Sequence, residues 1–313
     1  MEFILDTNAY RNLARGLTLA NVPAYAEKLK QAEDNTKSSS ALSIVVAMEL
    51  IQHLQKDNPF RDECYKALCL QTLHTRRYDF SKRSITGSFY PPMNVILAQY
   101  FFKDNSKYFP LYMKVLELVL ELTKNQDITN CDTNATYVDT VKNQILFEKN
   151  EFKDNVENFL SSLNSGTLDW KYIRNNNEGR KKFFDKIQSG HIANLLGVAL
   201  MIRAHQVMEI EELAPDAEAK IEQFINDFKA VLIMNVTLVE QIGHGTEKLK
   251  DVTDARWNTL NDVQILFGLL YYRNGDDKKV LVTEEKKIKE ACDVAGIGDR
   301  VLTIAEYLTV LGL

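Results

Sequence analysis

Four short apolar runs, each closed by polar residues, constrain the fold of this chain more than any other feature. They lie at residues 3–5, 41–46, 280–282 and 301–303, so two are near each end of the chain. Short apolar runs with polar boundaries are typical of strands buried in a parallel sheet. Helical patterns separate the runs, and such strand–helix–strand order implies right-handed crossovers. The sequence therefore predicts an α/β fold with a small parallel β-sheet flanked by helices.

The middle of the chain has a different character. From about residue 60 to 250 apolar residues recur at helical spacing, as at Leu111, Val115, Leu118, Val119 and Leu122. We find no repeat of fixed period and no Ser/Gly-rich linker. We therefore expect a single domain formed by about residues 1–56 and 250–313, interrupted by a large, mostly helical insertion at about 57–249.

Charge and cysteine content exclude several classes of protein. The chain of 313 residues has a net charge of −5, so it lacks the general basicity of proteins that bind phosphate backbones broadly. Its four cysteines have no zinc-ligand spacing, which predicts buried free thiols. No signal peptide is recognisable at the first residues, and the longest apolar run, at 192–202, is too short to cross a bilayer. We expect a cytoplasmic protein without a membrane partner.

Acidic residues follow the predicted strands. Asp6 ends the first strand, Glu49 lies about one helical turn beyond the second, Asp262 opens a helix, and Glu285 follows residues 280–282. Ligand sites of open parallel sheets form outside the carboxyl ends of the strands. Crowded carboxylates repel one another unless a cation neutralises them, and hard oxygen ligands select Mg²⁺ or Mn²⁺. The pattern predicts a divalent metal site, with all four residues as ligands.

Such a site can support hydrolysis without a protein nucleophile. A bound divalent metal lowers the pKa of water and stabilises charge on a phosphate. The sequence has no GxSxG elbow, no HExxH pair and no Gly-rich phosphate loop. Thr7 and Asn8 are candidates to hold Asp6 or a metal-bound water in place, and Thr283 lies beside the same edge as the predicted cap of the last-but-one helix.

Each acidic residue also has an ordinary structural interpretation. Asp6 fits a strand-to-helix turn, and Asp262 and Glu285 fit helix N-termini, where carboxylates are favoured by the helix dipole. Glu49 fits the solvent face of an amphipathic helix. Asp251 and Asp254 fit a solvated loop, although a contribution to the site is also open.

Two further segments are candidates for substrate contact. The basic and aromatic residues Lys171, Tyr172, Arg174, Arg180, Lys181, Lys182, Phe183 and Phe184 suit either single-stranded RNA or a solvated face over core aromatics. Arg256 and Trp257 precede Asp262 closely enough to touch a substrate there.

The acidic motifs and their order resemble those of PIN-domain ribonucleases. The resemblance rests on ILDTN at residues 4–8, SIVVAMEL at 43–50, NDVQIL at 261–266, VLVTEE at 280–285 and the closing segment at 301–308. It covers roughly residues 1–56 and 250–313, and it departs from the family at Glu285, where Asp is usual, and at the family's central strand, which has no counterpart in the sequence pattern. The resemblance implies a sheet of order 3-2-1-4-5 and metal-dependent cleavage of RNA.

We therefore predict a Mg²⁺- or Mn²⁺-dependent endoribonuclease that acts on single-stranded RNA, with DNA left open as a substrate. The alternative is a PIN-like binding or scaffold module with weak or no activity, which Glu285 and the acidic charge favour. In either case the insertion is a candidate surface for restricting access to the site, for a protein partner or for a second copy of the chain.

Overall fold

A parallel sheet of five strands forms the centre of the computed structural model, which describes residues 1–79, 84–163, 177–212, 216–244, 255–271 and 278–313. The strands are β1 (Glu2–Leu5), β2 (Ser39–Ser43), β5 (Phe89–Tyr90), β6 (Lys279–Val282) and β7 (Val301–Leu302). A separate antiparallel pair consists of β3 (Arg77–Asp79) and β4 (Ser84–Thr86). Most of the remaining described residues are helical.

The order of the central sheet is β5-β2-β1-β6-β7, which is 3-2-1-4-5 when only its own strands are counted. All of its pairs are parallel. This confirms the predicted α/β fold and its strand order. Because β1 pairs with β2 on one side and β6 on the other, strands from the two ends of the chain meet at the middle of the sheet.

The α-helices in the described part of the chain vary from one turn to eight. They are α1 (Thr7–Ala14), α2 (Val22–Asn35), α3 (Ile44–Ile51), α4 (Arg61–Thr75), α5 (Met93–Phe102), α6 (Phe109–Leu122), α7 (Thr129–Thr133), α8 (Ala135–Leu163), α9 (Asn177–Gln188), α10 (His191–Met208), α11 (Ala217–Asp227), α12 (Lys229–His244), α13 (Thr259–Leu270), α14 (Lys286–Ala295) and α15 (Ile304–Leu311). Short 3₁₀ helices lie at Leu19–Asn21, Lys124–Gln126, Ala255–Asn258 and Gly298–Arg300. No described helix is both long and apolar enough to cross a lipid bilayer.

The second strand is shorter than predicted. It ends at Ser43, and α3 begins at Ile44, although residues 44–46 are β-branched. Ser43 explains the difference because its side chain accepts a hydrogen bond from the backbone N–H of Val46 and so caps the helix (3.5 Å). Pro23 lies in the first turn of α2, where proline is favoured.

The first edge strand of the sheet was not predicted. β5 pairs with β2 at Leu42 and Ser43, and it lies within the segment expected to be a helical insertion from about residue 57. The helix before it, α4, packs against α1 and α2. The elements between β5 and β6 that the structure describes are helical, and they include α8, which packs on α3, and α12, which packs on α14.

The core has two parts. The larger surrounds the sheet and includes the fully buried β1 residues Phe3, Ile4 and Leu5. The smaller lies among helices between β5 and β6 and contains Trp257 and Phe183 with their apolar neighbours. All four cysteines are buried and free, as predicted.

A charged network is buried in the larger core, away from the carboxyl edge of the sheet. Glu33, which has no solvent exposure, accepts hydrogen bonds from Ser40 (2.5 Å), Tyr307 (3.0 Å) and Arg77 (2.8 Å). His74 Nε2 lies 2.9 Å from the same carboxylate. Burial alone would raise the pKa of Glu33, but the hydrogen bond and charge of His74, with Ser40 and Tyr307, hold it below its usual value. The network joins α2, α4, β2 and α15.

Candidate metal centre

The four predicted carboxylates line a single pocket of about 310 Å³ at the carboxyl edge of the sheet. Asp6 directly follows β1, and Glu285 follows β6 as the N-cap of α14. Glu49 lies on α3 behind β2, and Asp262 lies in the first turn of α13. Parallel register brings these positions together, because Leu5 is paired with Val282 and both strands end there.

Asp6 is the most buried member of the group, with 3% of its surface exposed. Its Oδ1 accepts a hydrogen bond from the backbone N–H of Ala9 at 2.5 Å, so it also caps α1. Its Oδ2 accepts a hydrogen bond from the hydroxyl of Thr283. Both hydrogen bonds hold the carboxylate of Asp6 at the carboxyl end of β1.

Thr283 does not cap α14 as expected, since the N-cap is Glu285. The Thr283 hydroxyl instead donates to Asp6 and accepts the backbone N–H of Glu285 at 3.0 Å. A side chain predicted as a helix cap thus links two of the four acidic residues.

Thr7 and Asn8, predicted to hold Asp6 or a metal-bound water, form hydrogen bonds to other carboxylates of the group. Thr7 donates its hydroxyl hydrogen bond to Glu49, and Asn8 Nδ2 donates to Glu285 Oε1 at 3.0 Å. Both donors lie in the first turn of α1, from which they reach the neighbouring segments rather than the residue before them. The turn after β1 therefore orients the carboxylates on either side of Asp6.

Negative charge in this pocket is unfavourable without a cation. Burial raises the pKa of Asp6 to about 7, against the hydrogen bond from Thr283, and the charges of Glu49 and Glu285 add to the rise. Burial also raises the pKa of Asp262 to about 8, with repulsion from Glu285 and Glu49 acting in the same direction. None of the four acidic side chains forms a salt bridge with another described residue.

The carboxylate oxygens of this set fit a hard divalent cation, and two cationic side chains, Arg11 and Lys287, line the same pocket. Within the described ranges, however, no three His, Cys, Asp or Glu side chains converge into a ready metal cluster. Thr7, Asn8 and Thr283 each donate a hydrogen bond to a different carboxylate of the group, namely Glu49, Glu285 and Asp6.

Basic and neutral residues that the sequence pattern did not indicate complete the surroundings. Lys149 of α8 is 8% exposed, and its Nζ donates to Asn258 Oδ1 at 2.7 Å on the wall of the pocket. Burial lowers the pKa of Lys149, while the charge of Glu49 raises it. Arg11 and His53 also line the pocket. Burial lowers the pKa of His53, and the charge of Arg11 adds to this.

The predicted contact of Trp257 with substrate is wrong. Trp257 is 1% exposed and lies edge-on to Phe152 in the smaller core, at a centroid distance of 6.1 Å. Phe183 is buried in the same core, while Phe184 stacks on His244. Both aromatics thus pack within the protein, as the structural interpretation of the basic segment expected.

Several predicted positions lie outside the described residues. They are Lys171, Tyr172, Arg174, Asp251 and Asp254.

Comparisons with protein-family models, with curated proteins and with solved structures find no match to this chain.

Proposed function

We propose that the protein is a metal-dependent ribonuclease of the PIN-like type. The observation that carries the proposal is the convergence of Asp6, Glu49, Asp262 and Glu285 on one pocket at the carboxyl edge of a parallel 3-2-1-4-5 sheet. These residues come from four separate chain segments, and burial destabilises the charged forms of Asp6 and Asp262. A pocket that only stabilised the fold would gain more from neutral side chains.

In this proposal the four carboxylates hold Mg²⁺ or Mn²⁺, which when bound supplies an activated water and stabilises the developing phosphate charge. Thr283 orients Asp6, and Thr7 orients Glu49. Lys149 offers a cation beside the pocket for an RNA phosphate, and its position on Asn258 limits its motion. Arg11 and Lys287, which line the pocket, supply further positive charge for a phosphate.

The alternative is a PIN-like binding or scaffold module with little activity. One observation favours it, which is that the carboxylates in the described structure are engaged by hydrogen-bond donors and do not form a ready metal cluster. Such a module would retain the sheet and the pocket but would be indifferent to divalent metal.

Cleavage of end-labelled single-stranded RNA in the presence of Mn²⁺ distinguishes the two functions. We expect Asp6→Asn and Asp262→Asn to abolish cleavage and to weaken Mn²⁺ binding measured by calorimetry. Glu284→Gln is the matched control, because Glu284 neighbours Glu285 but accepts from the backbone N–H of Ile304 (2.9 Å) instead of facing the pocket.

Folded wild-type protein that neither binds Mn²⁺ nor cleaves RNA would support the binding module. A single-stranded DNA of the same sequence tests the choice of nucleic acid in the same assay. Equal cleavage by wild type and both Asp variants would indicate a contaminating nuclease and contradict the assignment of the site.

A further inference from the structure

A second cavity, of about 370 Å³, lies among the helices of the insertion and apart from the acidic pocket. It adjoins a wider groove, and the two share the lining residues Asn94, Tyr112, Glu148, Glu151, Arg203 and Gln206. Its volume falls in the range of small-molecule sites. None of its lining residues belongs to the four carboxylates of the proposed metal centre.

The charges along the cavity do not cancel. Its charged lining residues are Glu148, Glu151 and Arg203. Arg203 is bound to Glu151 through both guanidinium nitrogens, at 2.9 and 3.3 Å, so this pair is neutral. Glu148 receives only neutral donors, from Gln144 (2.8 Å) and Gln264 (3.3 Å). The cavity therefore has one negative charge without a salt bridge to any described residue.

A second acceptor on the cavity wall, unlike Glu148, has no hydrogen-bond donor among the described residues. The Oδ1 atom of Asn94 is buried, and no hydrogen-bond donor reaches it among the described residues. Tyr112, which is 8% exposed, lies on the same stretch of wall. A buried acceptor without a donor is unfavourable unless a ligand or water supplies one.

The remaining wall is apolar and partly aromatic. Phe152, Phe159, Leu200, Val239 and Leu260 face the cavity. Such a wall suits a flat hydrocarbon group. The carboxylate of Glu148 and Oδ1 of Asn94 are both acceptors, and they favour a ligand whose hydrogen-bond donor carries positive charge.

We propose that this cavity binds a small organic cation, in which a protonated amine or amidinium group is carried on an aromatic or aliphatic body. The cationic group pairs with Glu148, a rotation of the Asn94 amide turns Oδ1 toward the ligand as a second acceptor, and the hydrocarbon body lies against Phe152 and Leu200. Because the burial of Glu148 raises its pKa, a cationic partner also relieves the unfavourable charge.

Benzamidine and benzylamine are suitable probes, with benzamide and benzyl alcohol as uncharged analogues and benzoate as the anionic one. Titration calorimetry on the full chain should detect saturable binding of the two cations. We expect the uncharged analogues to bind about tenfold or more weakly, as a charge-assisted hydrogen bond implies. Failure of the folded protein to bind either cation at millimolar concentration, or equal affinity for the uncharged analogues, would overturn the proposal.

Glu148→Gln should weaken benzamidine binding by about tenfold or more, since it removes the charge and keeps the side-chain shape. Glu117→Gln is the matched control, because Glu117 lines only the outer groove, is exposed and loses the same charge. Equal weakening by both variants would mean unspecific attraction to an acidic surface and would contradict a site at Glu148.

Two further variants keep the test valid if Glu148→Gln folds poorly. Asn94→Ala removes the buried acceptor and should weaken binding of benzamidine more than that of benzylamine, which has fewer planar donors. Glu151→Gln frees the guanidinium of Arg203, so it should weaken both cations and permit benzoate to bind. Unchanged affinities in both variants would place the probes elsewhere and overturn the proposal.

Discussion

The hydroxyl of Thr283 donates a hydrogen bond to Asp6 across the β1–β6 pair, and this contact opposes the rise in the pKa of Asp6 that burial causes. Thr283→Val removes the donor and keeps the shape. We expect the pKa of Asp6 to rise above about 7, so that RNA cleavage at neutral pH falls and recovers as the pH increases. The pH profile of kcat/KM with Mn²⁺ measures the shift of the acidic limb.

Thr283→Ser is the control for this prediction, because it retains the hydroxyl. Its profile should overlay that of the wild type. If Thr283→Val lowered activity equally at every pH, the hydroxyl would act through local structure and not through the protonation of Asp6.

The metal-free protein should lose stability as the pH rises from 6 to 9. The pKa values of Asp6 and Asp262 are raised to about 7 and about 8 in the fold, above the usual value of 3.8. The folded state therefore holds these protons more tightly than the unfolded state, and their stabilising effect is lost as the pH passes through the folded values. Thermal melts in chelator should show a falling melting temperature, and Mn²⁺ should restore it at pH 9.

Asp262→Asn gives this pH prediction a direct comparison. The variant should be more stable than wild type in chelator at pH 9, and the difference should shrink by roughly 1.4 kcal/mol for each pH unit between pH 8 and pH 4, where the two should converge. Parallel pH dependence in the two proteins would show that Asp262 is not a source of repulsion.

Lys149 should contribute to RNA affinity. Lys149→Met keeps the buried stem and removes the cation beside the pocket. If it contacts a phosphate, kcat/KM for RNA should fall by about 10- to 100-fold, the range for a hydrogen bond to a charged group. Lys124→Met, at an exposed lysine paired with Glu121, should leave cleavage unchanged. Unaltered kinetics in Lys149→Met would assign this lysine to packing alone.

The buried network around Glu33 should stabilise the fold strongly. Glu33→Gln leaves His74 and Arg77 without their carboxylate, and loss of one partner from a buried ion pair costs about 3–5 kcal/mol. Urea unfolding followed by circular dichroism measures the difference. Glu27→Gln removes the exposed pair with Lys30 and should change the free energy of unfolding by less than about 1 kcal/mol. Similar losses in both variants would contradict a special role for the buried network.

The sequence was sufficient to locate the strands at the centre of the sheet, because they are buried on both faces and read as continuous apolar runs. β1 and β6 lie where the apolar runs at residues 3–5 and 280–282 predicted them. β5 could not be predicted from the sequence, since its two residues, Phe89 and Tyr90, are too few to show an alternation of apolar and polar side chains. Only pairing with Leu42 and Ser43 defines it as a strand.

The positions of the four carboxylates could be predicted from strand ends, but their partners could not. A hydrogen bond such as Thr7 to Glu49 depends on the angle between α1 and α3, which no local pattern records. The same is true of Lys149, because helical spacing predicts that part of α8 is buried and does not identify the residue it faces. Both contacts, of Thr7 with Glu49 and of Lys149 with Asn258, are determined by tertiary packing.

Because β1 pairs with both β2 and β6, the central sheet can be completed only after β6 has been translated. The nascent chain exposes Asp6 and Glu49 early, and β1 can pair with β2 as soon as both have left the ribosome. Its other edge stays open until residues 279–282 emerge, so it needs protection from association with other chains during synthesis. Asp262 and Glu285 are translated at the same late stage. A chain whose synthesis stops before them therefore has only two of the four acidic residues, and β1 has no partner on its second edge.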